Sequence, residues 1–166
     1  MHDTAYAFVR RTLAMLPQRK RVCEFGSYNV NGSARPLFVG CEKYVGIDIR
    51  PGPGVDIVDD AATWEPPDGK FFDTVVSTEV LEHCSVEDQQ RIIHNAHWVI
   101  RERGVFLLTA ATDPRPIHSV DGHSTLPEGE VYCNVSLEHL RLWLGKWHCA
   151  MIDVSISGDV YAVAVA

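Results

Sequence analysis

The sequence predicts an α/β fold: a mostly parallel sheet with helices on both faces and a C-terminal antiparallel hairpin. Short runs rich in β-branched residues alternate with segments of helical periodicity, the pattern of a parallel sheet with crossover helices. The run Phe72-Asp73-Thr74-Val75-Val76-Ser77 reads as a buried strand. Two last runs, 149–155 and 160–165, alternate apolar with small or polar residues around Ser157-Gly158-Asp159 and read as a terminal hairpin.

In order, residues 3–16 place Ala5, Phe8, Val9, Thr12, Leu13 and Leu16 on one face of a helix that Pro17 stops. Residues 21–25 form a strand ending at Gly26, and a turn at Asn31-Gly32-Ser33 leads to a short helix over 33–39. Residues 44–49 are a second strand. Pro51-Gly52-Pro53-Gly54 breaks the chain, and 55–58 is a weak third strand. Only six residues (49–54) join these two strands, whereas a parallel crossover normally needs about a dozen, so the usual helix is missing here.

After the strand at 72–77, Ser85 reads as an N-cap with Asp88 as its partner, and Val86, Ile92, Ile93, Ala96, Val99 and Ile100 follow at helical spacing up to Gly104 as a C-cap. Residues 105–109 are the next strand. A long irregular connection, 112–135, precedes a helix capped by Asn134 or Ser136, with Leu137, Leu140, Leu144 and Trp147 along one face.

The chain has 166 residues, the size of one domain, with 46% hydrophobic and 22% charged residues, inside the globular range. The net charge of −7 argues against strong nucleic-acid binding, which rests on a basic surface. The short run Arg19-Lys20-Arg21, with Arg10 and Arg11 nearby, reads as a solvated helix end and turn. Five cysteines without a Cys-x-x-Cys pair point to reduced thiols and a cytoplasmic setting. Cys23 and Cys149 lie in apolar runs and read as small core residues. No apolar stretch reaches the roughly 20 residues of a membrane helix, and no signal-peptide core opens the chain.

On such a sheet, ligands bind beyond the carboxyl ends of the strands, so the residues just after each strand are the candidates. Glu24 stands two positions before Gly26, at the first strand tip. A dinucleotide fingerprint would require further glycines where Tyr28 and Asn31 stand, which counts against a nicotinamide-dependent oxidoreductase. Asp48 ends the second strand, 24 residues after Glu24, where a carboxylate accepts hydrogen bonds from ribose hydroxyls. Asp60 follows the third strand, where an acid can accept a bond from an adenine amino group.

The segments Val22-Cys23-Glu24-Phe25-Gly26-Ser27, Gly46-Ile47-Asp48, Asp60-Ala61 and Phe72-Asp73-Thr74-Val75-Val76-Ser77-Thr78-Glu79-Val80-Leu81-Glu82-His83 together resemble the class I S-adenosylmethionine-dependent methyltransferases, most closely their type 11 branch. The resemblance covers residues 20–112 by motif, and the hairpin suits it. It implies a Rossmann-like sheet, S-adenosylmethionine as cofactor and a methyl acceptor. The compact size leaves no separate substrate domain, so the acceptor is expected to be small or exposed, a small molecule above all. By position it implies that Glu24, Gly26 and Ser27 border the methionine part of the cofactor, that Asp48 binds ribose, that Asp60 and Ala61 contact adenine, and that Ser77 and Thr78 pass beneath it. Tyr28 and Ile49, adjoining these anchors, belong to the same expected set.

Glu79, Glu82 and His83 would share a face if they occupied the first turn of a helix. Three readings stand: pocket-lining or solvated side chains, His83 as a general base with Glu79 beside it, or a divalent-metal site completed by His118 or His123. The Glu-x-x-Glu-His pattern resembles that of metal-dependent ubiquinone-pathway and small-RNA 2′-O-methyltransferases. The connection 112–135, bearing His118, Asp121, His123, Glu128, Glu130 and Tyr132, is expected to be an acceptor-binding lid. His94, His97, His139 and His148 read as ordinary surface or core residues. The expected reaction is displacement of the sulfonium methyl by an acceptor oxygen or nitrogen. The alternatives are a non-catalytic S-adenosylmethionine-binding partner subunit and a metal-assisted O-methyltransferase acting on a hydroxyl, RNA ribose included.

Overall fold

The computed structural model describes residues 2–16, 20–67, 69 and 72–166. Pro17 and Arg19, expected to stop the first helix and to begin the basic run, lie outside the described residues. The elements are α1 (Asp3–Met15), β1 (Arg21–Phe25), β2 (Lys43–Asp48), β3 (Ile57–Val58), β4 (Phe72–Thr78), α2 (Val86–Val99), β5 (Ile100–Ala111), α3 (Leu137–Leu144), β6 (Cys149–Val154) and β7 (Asp159–Val165). Among the described residues, seven strands form one sheet in the order β3-β2-β1-β4-β5-β7-β6. Every pairing is parallel except the two made by β7, which runs antiparallel to both β5 and β6. The hairpin thus inserts its second strand beside β5 and leaves β6 as the sheet's edge.

Because successive side chains of a strand face opposite ways, the central strands feed two apolar layers. Val22, Val76, Val105 and Leu107 pack with Phe8 and Val9 of α1. Cys23, Phe25, Val75, Phe106 and Leu108 pack with Ile92, Ile93 and Ala96 of α2 and Leu140 and Leu144 of α3. The predicted faces of all three helices are the buried ones. At the start of α2 the amide of Asp88 donates to Ser85 Oγ, and Ser85 Oγ donates to the Asp88 carboxylate, closing the expected box. Ser136 Oγ accepts from His139 N and so is the cap of α3.

Several expectations are corrected. The short helix over 33–39 is a single 3-10 turn, Arg35–Phe38. The third strand has only two residues, paired with β2 at Ile47 and Asp48. α2 stops at Val99, and Gly104 lies inside β5, not at a helix end. Ile100 and Val105 pair with Phe72 and Thr74, so three extra residues of β5 loop out between the two pairs. Arg103 takes a left-handed φ of 62° in that bulge, and Gly104 packs where a Cβ would lie 2.4 Å from Ile100 Cγ2. Cys149 is exposed on β6 rather than in the core, because edge strand β6 has little packed over it, whereas Cys23 is fully buried.

Candidate active site

The tips of β1, β2 and β4 lie level with one another, since Phe25 pairs with both Ile47 and Ser77. Gly26, Asp48 and Thr78 therefore emerge side by side. A cleft of about 700 Å³ opens over these tips, within the range of about 300–1,000 Å³ usual for ligand pockets.

The first strand turns sharply at Gly26 (φ 76°), and the amides of Gly26 and Ser27 both donate to the Ile47 carbonyl, at 2.8 and 3.0 Å. A Cβ at Gly26 would lie 2.1 Å from Val80 Cγ2, so the turn is packed directly against the chain leaving β4. Tyr28, standing where a dinucleotide fold has glycine, is accommodated from the opposite loop. A Cβ at Gly52 would meet its ring at 2.1 Å, and the Arg50 guanidinium lies 4.8 Å from the ring centroid. The Pro-Gly-Pro-Gly segment thus replaces the missing crossover helix and supports the first loop, with Asn29 N donating to the Pro53 carbonyl at 2.8 Å.

The carboxylate of Asp48 accepts the amides of Tyr28 and Arg50, each at 3.0 Å. A carboxylate offers about four lone-pair sites, so two remain beyond these bonds, and Asp48 lines the cleft. Asp60 Oδ1 accepts from the Ala62 amide at 2.8 Å, and Asn95 holds the Ala61 carbonyl at 2.9 Å from α2. Of the residues expected to bind the cofactor, Glu24, Gly26, Ser27, Tyr28, Asp48, Ile49, Asp60, Ala61 and Thr78 line this cleft. Ser77 does not: it is buried in β4 behind the wall, its hydroxyl without a hydrogen-bond partner.

Glu24 is 2% exposed and accepts a bond from the Tyr44 hydroxyl at 2.8 Å. Burial pushes its carboxyl up to about 7, against the opposing pull of that bond and of the Arg35 charge. An unfolded carboxyl titrates near 4.5. Between these values the folded chain holds more proton than the unfolded one, so the stability this group contributes is full below about 4.5 and lost by about 7, a change of about 3 kcal/mol. Glu24→Gln removes that dependence. In urea denaturation the variant should gain about 3 kcal/mol on the wild type between pH 4.5 and 7; a difference indifferent to pH would contradict the burial account.

The segment after β4 departs most from expectation. Glu79, Glu82 and His83 do not share a helical turn. Glu79 sits alone at a left-handed φ of 57°, a conformation uncommon for a residue with a side chain. Its amide donates to the Thr109 carbonyl at 2.9 Å, and its Oε1 accepts from Thr109 Oγ1 at 2.8 Å. Its Oε2 lies 3.6 Å from His2 Nε2. Leu81–His83 then forms a separate 3-10 turn before α2. Turning the chain at Glu79 sends Glu82 inward, fully buried, with neither carboxylate oxygen hydrogen-bonded. Burial, and then the charge of Glu79, raises its pKa well above the ordinary carboxylate value.

His83 and Glu79 both line the cleft. Burial and the neighbouring His118 lower the His83 pKa to about 4, which leaves its imidazole neutral near pH 7. Residues 112–135 cross the cleft mouth without regular structure, and His118 and Tyr132 pack edge-on against His83 with ring centroids 5.4 and 5.7 Å away. Glu82, His83 and His118 each bring one potential ligand atom within 4.8 Å of the others. Glu79 and His123 are not in this group. Several bonds tie the segment down, among them Thr112 N to the Gly158 carbonyl at 2.8 Å, Cys133 N to the Glu82 carbonyl at 2.7 Å and Gln89 Nε2 to the Cys133 carbonyl at 2.9 Å, while Thr112 Oγ1 closes its two ends by donating to the Val135 carbonyl at 2.7 Å.

His2, Arg50, Cys84 and Arg115 also line the cleft and were missed from sequence. Arg115 is ion-paired with Asp159 at the β6–β7 turn and lies 2.7 Å from His2 Nε2. No local pattern marks these four; only the fold brings them together. Of the remaining histidines, His97 packs on Trp147 and His139 on Trp143, and His94 and His148 are exposed, as expected of ordinary residues.

The strand order, the single reversed strand and the cleft over the tips of β1, β2 and β4 are those of the class I S-adenosylmethionine-dependent methyltransferases. A family model described as a methyltransferase domain matches residues 1–154, and the chain belongs to this family. No curated protein matches the sequence. Among solved structures the fold resembles the DhpI–SAH complex (TM-score 0.71, 19% identity, covering 98% of this chain and 84% of that one). It resembles the N-methyltransferase NodS of Bradyrhizobium japonicum WM9 with S-adenosyl-l-homocysteine (0.68, 13%, 98% and 85%). It also resembles the 1,6-didemethyltoxoflavin-N1-methyltransferase of Burkholderia thailandensis with 1,6-didemethyltoxoflavin and S-adenosylhomocysteine (0.68, 12%, 98% and 76%). Among the described residues, no helix is long and apolar enough to cross a membrane.

Proposed function

We propose that this chain transfers the methyl group of S-adenosylmethionine to an oxygen or nitrogen of a small acceptor held between the strand tips and residues 112–135. The observation that carries the proposal is the convergence of Gly26, Asp48 and Thr78 on one cleft, with two lone-pair sites of Asp48 still to fill. The donor set fits the cofactor: Asp48 takes the ribose hydroxyls, Asp60 and the Ala61 backbone take adenine, and Glu24, Gly26, Ser27 and Tyr28 border the methionine part. Ile49 covers the nucleoside beside Asp48, and Thr78 lies beneath the sulfur. When bound, the cofactor supplies an electrophilic methyl on a sulfonium sulfur.

The protein's task is then alignment, which can contribute about 7–11 kcal/mol to such a step. Glu79, fixed through Thr109, accepts a hydrogen bond from the acceptor's O–H or N–H. His83, neutral near pH 7, offers a lone pair for its proton. The lid holds the acceptor against both and excludes water. That a protein of the same fold binds a small acceptor beside S-adenosylhomocysteine supports a small molecule here. The net charge of −7 supports an acceptor other than nucleic acid, and the five unpaired thiols support a cytoplasmic setting.

Isothermal calorimetry of the wild-type chain with S-adenosylhomocysteine and, separately, with NAD tests the reading. One-to-one binding of the first and none of the second is expected; binding of NAD instead would overturn it. Cofactor binding without methyl transfer to any hydroxyl or amine acceptor would favour a non-catalytic partner subunit.

A further inference from the structure

The far end of the sheet, away from the cleft, carries an open hydrogen-bond pattern. β6 is the last strand there, and five of its six residues are exposed. The phase of its pairing is fixed from both ends of β7. Ala166 N donates to the Gly104 carbonyl at 3.0 Å, so the even-numbered residues of β7 bond toward β5 and the odd-numbered ones toward β6. Ser155 N donates to the Asp159 carbonyl at 2.8 Å, in the same phase. No register shift separates β6 from β7, so Cys149, Met151 and Asp153 bond inward to β7. Ala150 and Ile152 therefore turn both of their main-chain groups outward. Val154 would be next, but its amide donates to Asp153 Oδ1 at 2.9 Å, which ends the open stretch.

A free sheet edge is a template for another strand, and proteins guard it with a lysine, a proline, a bulge or a covering segment. β6 has no such guard. It contains neither lysine nor proline, its pairing with β7 is regular, and Met151 at its centre is 59% exposed. Its side chains are apolar or small apart from Asp153 at one end.

We propose that β6 is the contact of a homodimer, in which a second copy lays its own β6 antiparallel along this edge, across a two-fold axis. One register answers all the open groups. Ala150 stands opposite the second copy's Ile152 and exchanges both main-chain bonds with it, Ile152 does the same with the second copy's Ala150, and the axis passes Met151. Shifting by two residues either way would oppose an open group to the amide of Val154 or of His148, and both are taken within the chain. In this register the two Met151 side chains cover each other, and Asp153, the one charge on the strand, faces Cys149 rather than another acid. The strand is thus its own complement, which favours a second copy over a foreign strand. The opposite edge, β3, has only two residues, so pairing closes at two chains instead of growing into a fibre. A contact of this extent belongs to the small, transient class, with micromolar association. The proposal does not depend on the methyl-transfer reading.

Sedimentation velocity of the full chain, from low micromolar to submillimolar concentration, tests it. A reversible monomer–dimer equilibrium is expected; a chain that stays monomeric throughout, or that grows beyond the dimer, overturns the proposal. Ala150→Pro removes an outward N–H and leaves the bonds to β7 in place, so it should weaken association at least tenfold. Met151→Lys sets two cations against each other on the axis and should do the same. Association unchanged in these variants also overturns the proposal, and if urea denaturation shows that the proline variant does not fold, Met151→Lys decides alone. The register is read by cross-linking with oxidised glutathione in a Cys149→Ser background. Met151→Cys should give a disulfide-linked dimer, because residues opposed without main-chain bonds stand about 4.5 Å apart between Cα atoms, inside the range of about 4.4–6.8 Å that a disulfide spans. Cys149→Ser alone, and Asp153→Cys in the same background, should stay unlinked. Linking as fast in Asp153→Cys as in Met151→Cys would overturn the two-fold pairing.

Discussion

Asp48→Ala is expected to weaken S-adenosylhomocysteine binding at least tenfold. On the proposed reading the carboxylate does two things at once: it accepts the amides of Tyr28 and Arg50, which sets the two loops, and its two remaining lone-pair sites take the ribose. Hydrogen bonds to a charged group are worth about 1.5–3 kcal/mol each, and about 1.4 kcal/mol is tenfold in affinity. Losing both ribose bonds therefore exceeds tenfold even if the loops hold. Asp48→Asn separates the two roles. It keeps a carbonyl for one loop amide and loses the charge, so it should fall between wild type and alanine by calorimetry. Unchanged affinity in the alanine variant would refute the ribose assignment.

Gly26→Ala should cost about 2–4 kcal/mol of folding stability, read from urea denaturation. Two separate effects add. The φ of 76° disfavours any side chain, and the new Cβ would lie 2.1 Å from Val80 Cγ2 and 3.2 Å from Val80 Cβ. Val80 is β-branched and stiff at χ1, so it cannot swing aside, and it follows Glu79, whose own left-handed backbone holds the turn. A double-mutant cycle with Val80→Ala parts the effects, because removing both Cγ atoms relieves the clash but not the backbone conformation. The pair should recover about half of the loss; no recovery would show that the turn, not the contact, requires glycine.

Much of this architecture was legible in the sequence because the signals were local. The β-branched run of β4, the Ser85–Asp88 box and the Ser157-Gly158 turn each act within a few residues, and each forms where expected. The short spacing between the second and third strands announced a missing helix, and β3 is indeed reduced to two residues. The end of α2 was not legible. Val99 and Ile100 are apolar in both the helical and the strand pattern, so nothing local marks the switch, and Gly104 serves a strand bulge instead of a helix cap. The condition under which Glu79, Glu82 and His83 would share a face, a common first helical turn, is not met for a related reason. A positive φ at glutamate leaves no trace in composition, yet that one residue decides which carboxylate faces the cleft and which is buried. Ser77 shows a limit of position-by-position inference, since one residue along a strand changes the face. His2 and Arg115 meet across 113 residues, a separation no motif spans.

A crystal structure of the chain with S-adenosylhomocysteine tests the central claim most directly. The account predicts both ribose hydroxyls within about 3.2 Å of the Asp48 carboxylate, adenine against Asp60 and Ala61, and the sulfur facing His83 and Glu79. A nucleoside seated away from the tips of β1, β2 and β4, or an Asp48 carboxylate turned from it, would contradict the account.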